Sequence, residues 1–263
     1  NERMAAFPGT VKDLREHISA HNHSICDTLM LHPQGLKGIF PSGTLTQTAH
    51  GLLEPIFPPM RHPDFCKQRK FLMSLEYLVH DFPAYCRRLK PKSRIVLVDM
   101  GASLDFHGNA MSPAIYLTNI YQRFGFHFDH IYAFEISQKD PKQVFDKVPD
   151  DLFAAYHWIN VGVSYENESR QNPWNMLLDT YNEDDLVVIK LDIDHSVIEV
   201  ALTQQLLQNP KLLKLVDAFY FEHHVHLKEL SPYWSSSMSG SLLDSIKMFT
   251  DLRRAGVDSH SWV

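Results

Sequence analysis

The chain has 263 residues, of which 44% are hydrophobic and 21% are charged, and its formal net charge at pH 7 is −6. This composition is typical of a globular protein and excludes a disordered, collagen-like or coiled-coil chain. The acidic balance argues against a nucleic-acid partner, and no apolar run approaches the roughly 20 residues that a membrane-spanning helix needs.

The first 92 residues differ from the remainder of the chain. Amphipathic helices are predicted over residues 11–21 and 65–89, because apolar side chains recur there at helical spacing. Residues 32–64 are crowded with proline and glycine, which fix extended or turn conformations. We therefore interpret residues 1–92 as an N-terminal extension that covers the main domain, which is predicted to comprise residues 93–263.

From residue 93 onward, short apolar runs alternate with helical patterns. Strands are predicted at 94–100, 130–134, 156–163, 186–191, 216–222 and 257–262. Helices are predicted at 112–124, 141–147, 196–208 and 242–254. Near-continuous apolar strands separated by helices are typical of a mainly parallel sheet that is covered on both faces. The sequence therefore predicts a doubly wound α/β domain.

Polar residues follow four of these predicted strands at their carboxyl ends. In chain order they are Asp99 and Gly101, then Glu135, then Asp192, Asp194 and His195, and finally Glu222, His223 and His224. Ligands of open α/β sheets bind outside the carboxyl ends of the strands. A single acidic strand end often does no more than solubilise a turn, whereas four together predict a binding site.

The pattern Asp99-x-Gly101 after an apolar strand suits a nucleotide-like cofactor. Gly101 allows a close backbone approach, and the next helix offers free N–H groups at its start. Glu135 is placed to accept hydrogen bonds from ribose hydroxyls. The alternative is a tight turn followed by an acidic helix cap. The dinucleotide fingerprint GxGxxG is absent from the sequence, which argues against NAD.

Five segments together carry a family resemblance. They read KLDIDHSVIEV at 190–200, VDMGAS at 98–103, AFE at 133–135, NVGVS at 160–164 and FEHH at 221–224. The first is similar to the K-I-D-V-E-G-A-E-L-E-V segment of the FkbM family of S-adenosylmethionine-dependent methyltransferases. The second resembles that family's D-x-G-A-N motif, and the others resemble its second motif, its N-x-A-L-S turn and its fifth strand end.

The resemblance implies a Rossmann-like fold with S-adenosylmethionine as the cofactor. It places Asp99, Gly101 and Ser103 at the methionine part of the cofactor, Glu135 at the ribose and Asp192 near the sulfonium. The implied activity is O-methyl transfer to a hydroxyl acceptor, either a small molecule or a glycan.

Two features depart from the family pattern. Asp105 stands near the position of a family glycine, in a loop (104–111) that is longer than usual. His195 replaces the glycine of the family's acid–glycine pair, so its imidazole either fills the cofactor pocket or adds a catalytic group. These departures leave a second hypothesis open, in which the chain keeps the methyltransferase fold as a binding protein without methyl transfer.

The strand-end histidines are candidate catalytic groups. His195 or His223 would act as the general base, because imidazole titrates near neutral pH. The alternative for His195 is an exposed residue at the start of a helix. Asp192, Asp194 and His223 would together bind Mg²⁺ or Mn²⁺, with a solvated polar strand end as the alternative. A metal-dependent enzyme built on these side chains is the third hypothesis.

The sequence leaves localisation and oligomeric state undecided. Sequons at Asn22 and Asn167 would fit a secretory route, and a start at Asn1 would fit a removed N-terminal anchor. A cytoplasmic location is equally compatible. The segment 231–237, which contains Trp234, is expected to form either a lid over the substrate site or a cover for the sheet edge.

Overall fold

The structure is a computed structural model that describes residues 85, 88–105, 111–123, 125–228, 231–234 and 236–262. Most of the predicted N-terminal extension, including its first helix and its proline-rich segment, lies outside the described residues. Described residues of the extension contact the main domain, and two of these contacts are to buried aspartates. The Tyr85 hydroxyl donates to Asp258 at 2.6 Å, and the Arg88 guanidinium pairs with Asp217.

Strands and helices alternate along the described part of the chain. The strands are β1 (Ile95–Met100), β2 (His130–Phe134), β3 (Tyr156–Ile159), β4 (Leu186–Leu191), β5 (Val216–Phe221) and β6 (Asp258–Ser261). The helices are α1 (Pro113–Arg123), α2 (Pro141–Phe145), α3 (Pro173–Thr180), α4 (Ser196–Gln208), α5 (Pro210–Leu215), α6 (Ser231–Trp234) and α7 (Leu242–Arg254). Within these residues, no helix combines the length and the apolar character that a bilayer span requires.

All six strands are parallel and are ordered β3-β2-β1-β4-β5-β6. This arrangement confirms the predicted doubly wound, Rossmann-like α/β sheet. The strand order reverses between β1 and β4, which pair in register from Ile95–Leu186 to Met100–Leu191. In such sheets the reversal opens a crevice outside the carboxyl ends of the strands, where ligands bind.

Successive side chains of the central strands β1 and β4 enter the two cores on opposite faces of the sheet. In β1, Leu97 packs in one core while Val96 and Val98 pack in the other. Every residue of β4 is buried, including Lys190. Burial on both faces explains why the strands appear in the sequence as continuous apolar runs rather than as an alternation.

The predicted boundaries agree with the structure best in the centre of the sheet. Predicted elements 130–134, 186–191 and 196–208 coincide with β2, β4 and α4. The sequence predicts a third strand as far as residue 163, but β3 ends at Ile159. The chain turns there, because the Val161 N–H donates to the Ile159 carbonyl at 2.8 Å within its own segment, and the Asn160 side-chain amide holds the turn by donating to the carbonyls of Glu135 and Ser137.

Helix α3 is not among the predicted elements, although the sequence contains a start signal for it. Asn172 precedes Pro173, and the Asn172 side chain accepts a hydrogen bond from the Trp174 backbone N–H at 3.0 Å. An asparagine cap followed by proline at the first helical position favours a helix start. Tertiary packing completes the helix by burying Trp174 and Leu177.

Candidate functional site

A cavity of about 470 Å³ opens at the carboxyl ends of the strands, where the strand order reverses between β1 and β4. Its lining includes six of the eight site residues that the sequence predicts. They are Gly101, Ser103, Glu135, Asp192, Asp194 and His195. The two others, Asp99 and His223, do not line it. The loops after β1, β2 and β4 therefore meet at one site.

The lining of this cavity is acidic. It contains five carboxylates, and its described residues include no lysine or arginine: the acids are Asp105, Glu135, Asp192, Asp194 and Glu222. Beside them lie apolar side chains, of which Ile136 is 77% exposed and Val161 38% exposed. Such a surface attracts cationic groups and disfavours phosphate groups. The cavity is therefore suited to a ligand that is partly apolar and carries a positive charge.

Asp99 lies beneath the cavity and is completely buried. Its carboxylate is 2.9 Å from the Nζ atom of Lys190, which is 3.3 Å from the Asp192 carboxylate and donates to the Gly101 carbonyl at 3.1 Å. Burial favours the neutral amine, but the carboxylates of Asp192 and Asp99 outweigh it and raise the pKa of Lys190. The ammonium therefore persists and holds three predicted cofactor residues together.

Lys190 is not among the site residues that the sequence predicts, although the sequence carries a signal for it. Its signal is a lysine inside the apolar run LVVIKL of β4, because a charge at a buried strand position requires a partner. The partners themselves come from β1 and from the loop after β4, so only the pairing of these strands reveals them.

Gly101 allows two chain segments to approach closely at the floor of the site. Its φ is +91°, and a Cβ atom there would lie 1.6 Å from the backbone oxygen of Asp192. The Gly101 N–H donates to the Phe134 carbonyl at 3.0 Å, and the Asp192 N–H donates to the Met100 carbonyl at 2.9 Å. The backbone that approaches Gly101 is thus that of the loop after β4. Through Gly101 this loop is held against the ends of β1 and β2.

Glu135 reaches the cavity from the end of β2 and is held in place by its neighbours. One of its carboxylate oxygens accepts a hydrogen bond from the Ser137 N–H at 2.5 Å. The Asn160 amide donates to the Glu135 carbonyl at 2.7 Å, which fixes the backbone from the side of β3. The second carboxylate oxygen of Glu135 can therefore serve a ligand in the cavity.

The loop after β4 presents Asp194 and His195 to the cavity. Asp194 has a positive φ of 56°, and His195 is an exposed residue at the start of α4 whose side chain makes no capping hydrogen bond. Glu199, from the first turn of α4, accepts a hydrogen bond from the Ile193 N–H at 2.9 Å. Burial raises the pKa of Glu199 to about 8. This buried carboxyl fixes the loop from below.

Beside Asp194, the residues after β5 complete a cluster of ionisable side chains. Asp194, Glu222 and His224 each offer an atom able to bind a metal ion, and these atoms lie within 4.8 Å of one another. The Trp234 indole N–H donates to Asp194 at 3.0 Å, and its ring lies 4.9 Å from that of His224. Helix α6 therefore lies over the cluster, where Trp234 also lines the cavity.

His223 points away from this cluster. Its Nε2 atom is 3.3 Å from the Ser239 hydroxyl, and its ring stacks on Phe221 at 5.2 Å. Burial, together with the neighbouring His224, lowers the pKa of His223 to about 4. Of the predicted metal-binding trio, the structure therefore places Asp192 and Asp194 at the cavity and His223 elsewhere, and it brings His224 to Asp194 instead.

A second, wider groove of about 630 Å³ lies between α3, α4 and α5. Seven asparagine and glutamine side chains line it, and its described lining has no charged residue. Several of these amides bind one another or the backbone, as Asn172 binds Gln205 at 3.1 Å. The groove offers no group for acid–base or metal chemistry, so the cavity at the strand ends is the candidate functional site.

No protein-family model matches the chain, and comparison with curated proteins and with solved structures also finds no match.

Proposed function

We propose that the chain is an S-adenosylmethionine-dependent O-methyltransferase that acts on a hydroxyl acceptor, either a small molecule or a glycan. The observation that carries this proposal is the acidic cavity at the strand-order reversal, with Glu135 at the end of β2. Its volume of about 470 Å³ lies within the roughly 300–1,000 Å³ of small-molecule sites. Four of the five residues that the family resemblance assigns to the cofactor line this cavity.

The charge of the cavity favours this cofactor over a phosphate-bearing one. S-adenosylmethionine carries a cationic sulfonium, an ammonium and one carboxylate, so its net charge is positive, whereas a dinucleotide presents an anionic pyrophosphate. A lining with five carboxylates, and with no lysine or arginine among its described residues, suits the first ligand and repels the second. The free carboxylate oxygen of Glu135 suits a ribose hydroxyl, and the exposed Ile136 and Val161 suit an apolar base.

In this proposal the chain contributes chiefly binding and orientation. S-adenosylmethionine, when bound, supplies an electrophilic methyl group. Asp192 and Asp194 favour positive charge at the cavity, while Gly101 and Lys190 fix the floor that carries them. The imidazole of His195 lines the cavity and is available to accept the proton of an acceptor hydroxyl. Orienting the reactants in this way can contribute several kcal/mol, on the order of 7–11 at most.

The alternative of a binding protein with a closed pocket predicts that Asp105 and His195 fill the cavity. Both side chains line an open cavity instead, which supports cofactor binding. The longer first loop that motivates this alternative falls partly outside the described residues, at positions 106–110.

Calorimetric titration of the purified chain with S-adenosylmethionine tests the proposal. We expect binding that weakens by at least about tenfold in Glu135→Gln, since a hydrogen bond to a charged group contributes about 1.5–3 kcal/mol. Glu168→Gln is the matched control, because Glu168 is exposed in a turn and does not line the cavity. Absence of binding by the wild type, or equal affinities of the wild type and Glu135→Gln, would refute the proposal.

A second measurement separates binding from methyl transfer. With an acceptor found by screening hydroxyl compounds and glycans, His195→Ala should lose turnover while its affinity for S-adenosylmethionine stays unchanged. Unchanged turnover in His195→Ala would remove His195 from the reaction and leave the cofactor assignment intact.

A further inference from the structure

Three side chains from the ends of two neighbouring strands converge at the edge of the cavity. Asp194 follows β4, whereas Glu222 and His224 follow β5, and β4 pairs with β5. Glu222 and His224 are only 6% and 2% exposed, so their positions are fixed by packing. The Asp194 side chain is 64% exposed and faces solvent. The cluster thus has two rigid members and one member that is open to an incoming ion.

The three side chains of the cluster lie close enough to share one metal ion, since one ligand atom of each is within 4.8 Å of the others. His224 Nδ1 lies 3.7 Å from Asp194 Oδ1, and His224 Nε2 lies 3.5 Å from Glu222 Oε1. Both separations exceed the usual hydrogen-bond length of about 2.7–3.2 Å. The two separations involve different ring nitrogens, so only one of them can join two ligands of the same ion. Two ligands on a tetrahedral ion lie about 3.3–3.6 Å apart, given bonds of about 2.0–2.2 Å, and either separation is close to that spacing.

One ring nitrogen of His224 would bind the ion, and the other would remain directed at a carboxylate oxygen. Metal-binding histidines are commonly oriented in this way, by a carboxylate that accepts the second ring N–H. Each carboxylate has two oxygens, so Glu222 and Asp194 can bind an ion and still face the imidazole. The packing of Trp234 against His224 restricts the ring further.

A buried carboxylate next to the cluster gives a second, independent indication. Glu199 is completely buried, and its Oε2 atom has no hydrogen-bond partner among the described residues. The side chain lies close enough to Asp192, Asp194 and His224 to interact with them electrostatically. Lys190, the buried cation of this region, already binds Asp99 and Asp192. Burial disfavours the ionised form of Glu199, and a cation at the cluster would offset that cost and favour the carboxylate.

We propose that Asp194, Glu222 and His224 form a binding site for a first-row divalent metal ion at the edge of the cavity. One imidazole and two carboxylates suit Mn²⁺ or Zn²⁺, whereas Ca²⁺ and Mg²⁺ prefer a set of oxygen ligands alone. The site differs from the predicted trio in taking its histidine from position 224 and a carboxylate from position 222. Beyond the end of β5 at Phe221, His224 lies with Glu222 in the cluster, whereas His223 stacks on Phe221.

Electron paramagnetic resonance and calorimetric titration with MnCl₂ test this site on the full chain without a polyhistidine tag. Mn²⁺ is the better probe because the chain has 16 histidines, and isolated imidazoles prefer Zn²⁺, Ni²⁺ and Cu²⁺. We expect one Mn²⁺ to bind per chain, and Zn²⁺ to displace it because Zn²⁺ ranks above Mn²⁺ in affinity.

Asp194→Asn is the decisive variant, since this exposed side chain can change without disturbing the fold. We expect it to weaken Mn²⁺ binding by at least about tenfold, while His226→Gln, an exposed control two residues from His224, binds like the wild type. Absence of Mn²⁺ binding by the wild type, or equal binding by Asp194→Asn, would overturn the proposal. The titration contains no S-adenosylmethionine, so its failure would leave the methyltransferase proposal untouched, and the converse also holds.

Discussion

The contact between Gly101 and the loop after β4 allows a sharp test of how the floor of the site is built. We expect Gly101→Ala to destabilise the protein far more than Gly256→Ala. Both glycines have similar positive φ angles, +91° and +96°. They differ in their surroundings, because a Cβ atom at Gly101 would lie 1.6 Å from the Asp192 backbone oxygen, whereas one at Gly256 would meet nothing within 4 Å.

The magnitudes follow from these two environments. At Gly256 the substitution adds only backbone strain, which costs about 1–2 kcal/mol for an L-residue in this region. At Gly101 the same strain is joined by a steric overlap. An ordinary contact needs 3.4 Å or more, so the Asp192 carbonyl would have to move by about 1.8 Å. That shift would disturb the Asp192 N–H bond to Met100, and we expect a total cost of about 4 kcal/mol or more.

Urea unfolding followed by circular dichroism measures both variants under the same conditions. Gly256→Ala should lower the midpoint slightly, whereas Gly101→Ala should unfold at much lower urea or fail to accumulate as folded protein. Equal midpoints for the two variants would refute the reasoning, because they would show that the loop after β4 yields freely to a side chain at Gly101.

Three further predictions concern charges. Lys190→Met leaves the carboxylates of Asp99 and Asp192 without their ammonium, so it should lower the free energy of unfolding by about 3–5 kcal/mol, measured with urea. A midpoint equal to that of the wild type would contradict this. Asp185→Ala removes a 2% exposed carboxylate that pairs with the Arg94 guanidinium, and it should lower the free energy of unfolding by about 3 kcal/mol. Asp184→Ala removes one member of an exposed pair and should lower it by less than about 1 kcal/mol. Similar losses in the two variants would be inconsistent with this. Burial, with a smaller contribution from His130, lowers the pKa of His157, so the unfolded chain takes up that proton more readily. The free energy of unfolding should therefore fall as pH drops below about 6.5. His157→Gln should make this free energy depend less on pH in urea unfolding curves recorded across pH. An unchanged pH dependence in the variant would argue against the role of His157.

The local sequence was sufficient to predict most of the sheet. An apolar run such as 186–191 is bounded by polar residues, and burial on both faces leaves no competing pattern within it. The same reasoning failed at β3, where it predicts four residues too many. Val161 and Val163 suit a strand, but the backbone turns at Asn160, whose side chain bonds to the end of β2. Propensity does not encode such a contact.

The location of the candidate site was predictable from the sequence. Which side chains form the site was less predictable. Acidic residues at strand ends are visible in the sequence, and parallel strands bring their carboxyl ends to one edge. The family resemblance implies that Asp99 holds the methionine part of the cofactor, and the structure shows in addition that Asp99 is buried against Lys190 beneath the cavity. Asp99 is the last residue but one of β1, and the register of β1 with β4 places it beside Lys190.

The histidines after β5 show the same division between local and tertiary information. If the fifth strand continued through these residues, alternation would direct His223 and His224 to opposite faces, but β5 ends at Phe221. Only the pairing of β4 with β5 decides that the face of His224 is the one that meets Asp194. Strands and helices are thus specified by residues a few positions apart. The cluster joins Asp194 to side chains about 30 positions further along the chain, and its geometry exists only once the strands are paired in register.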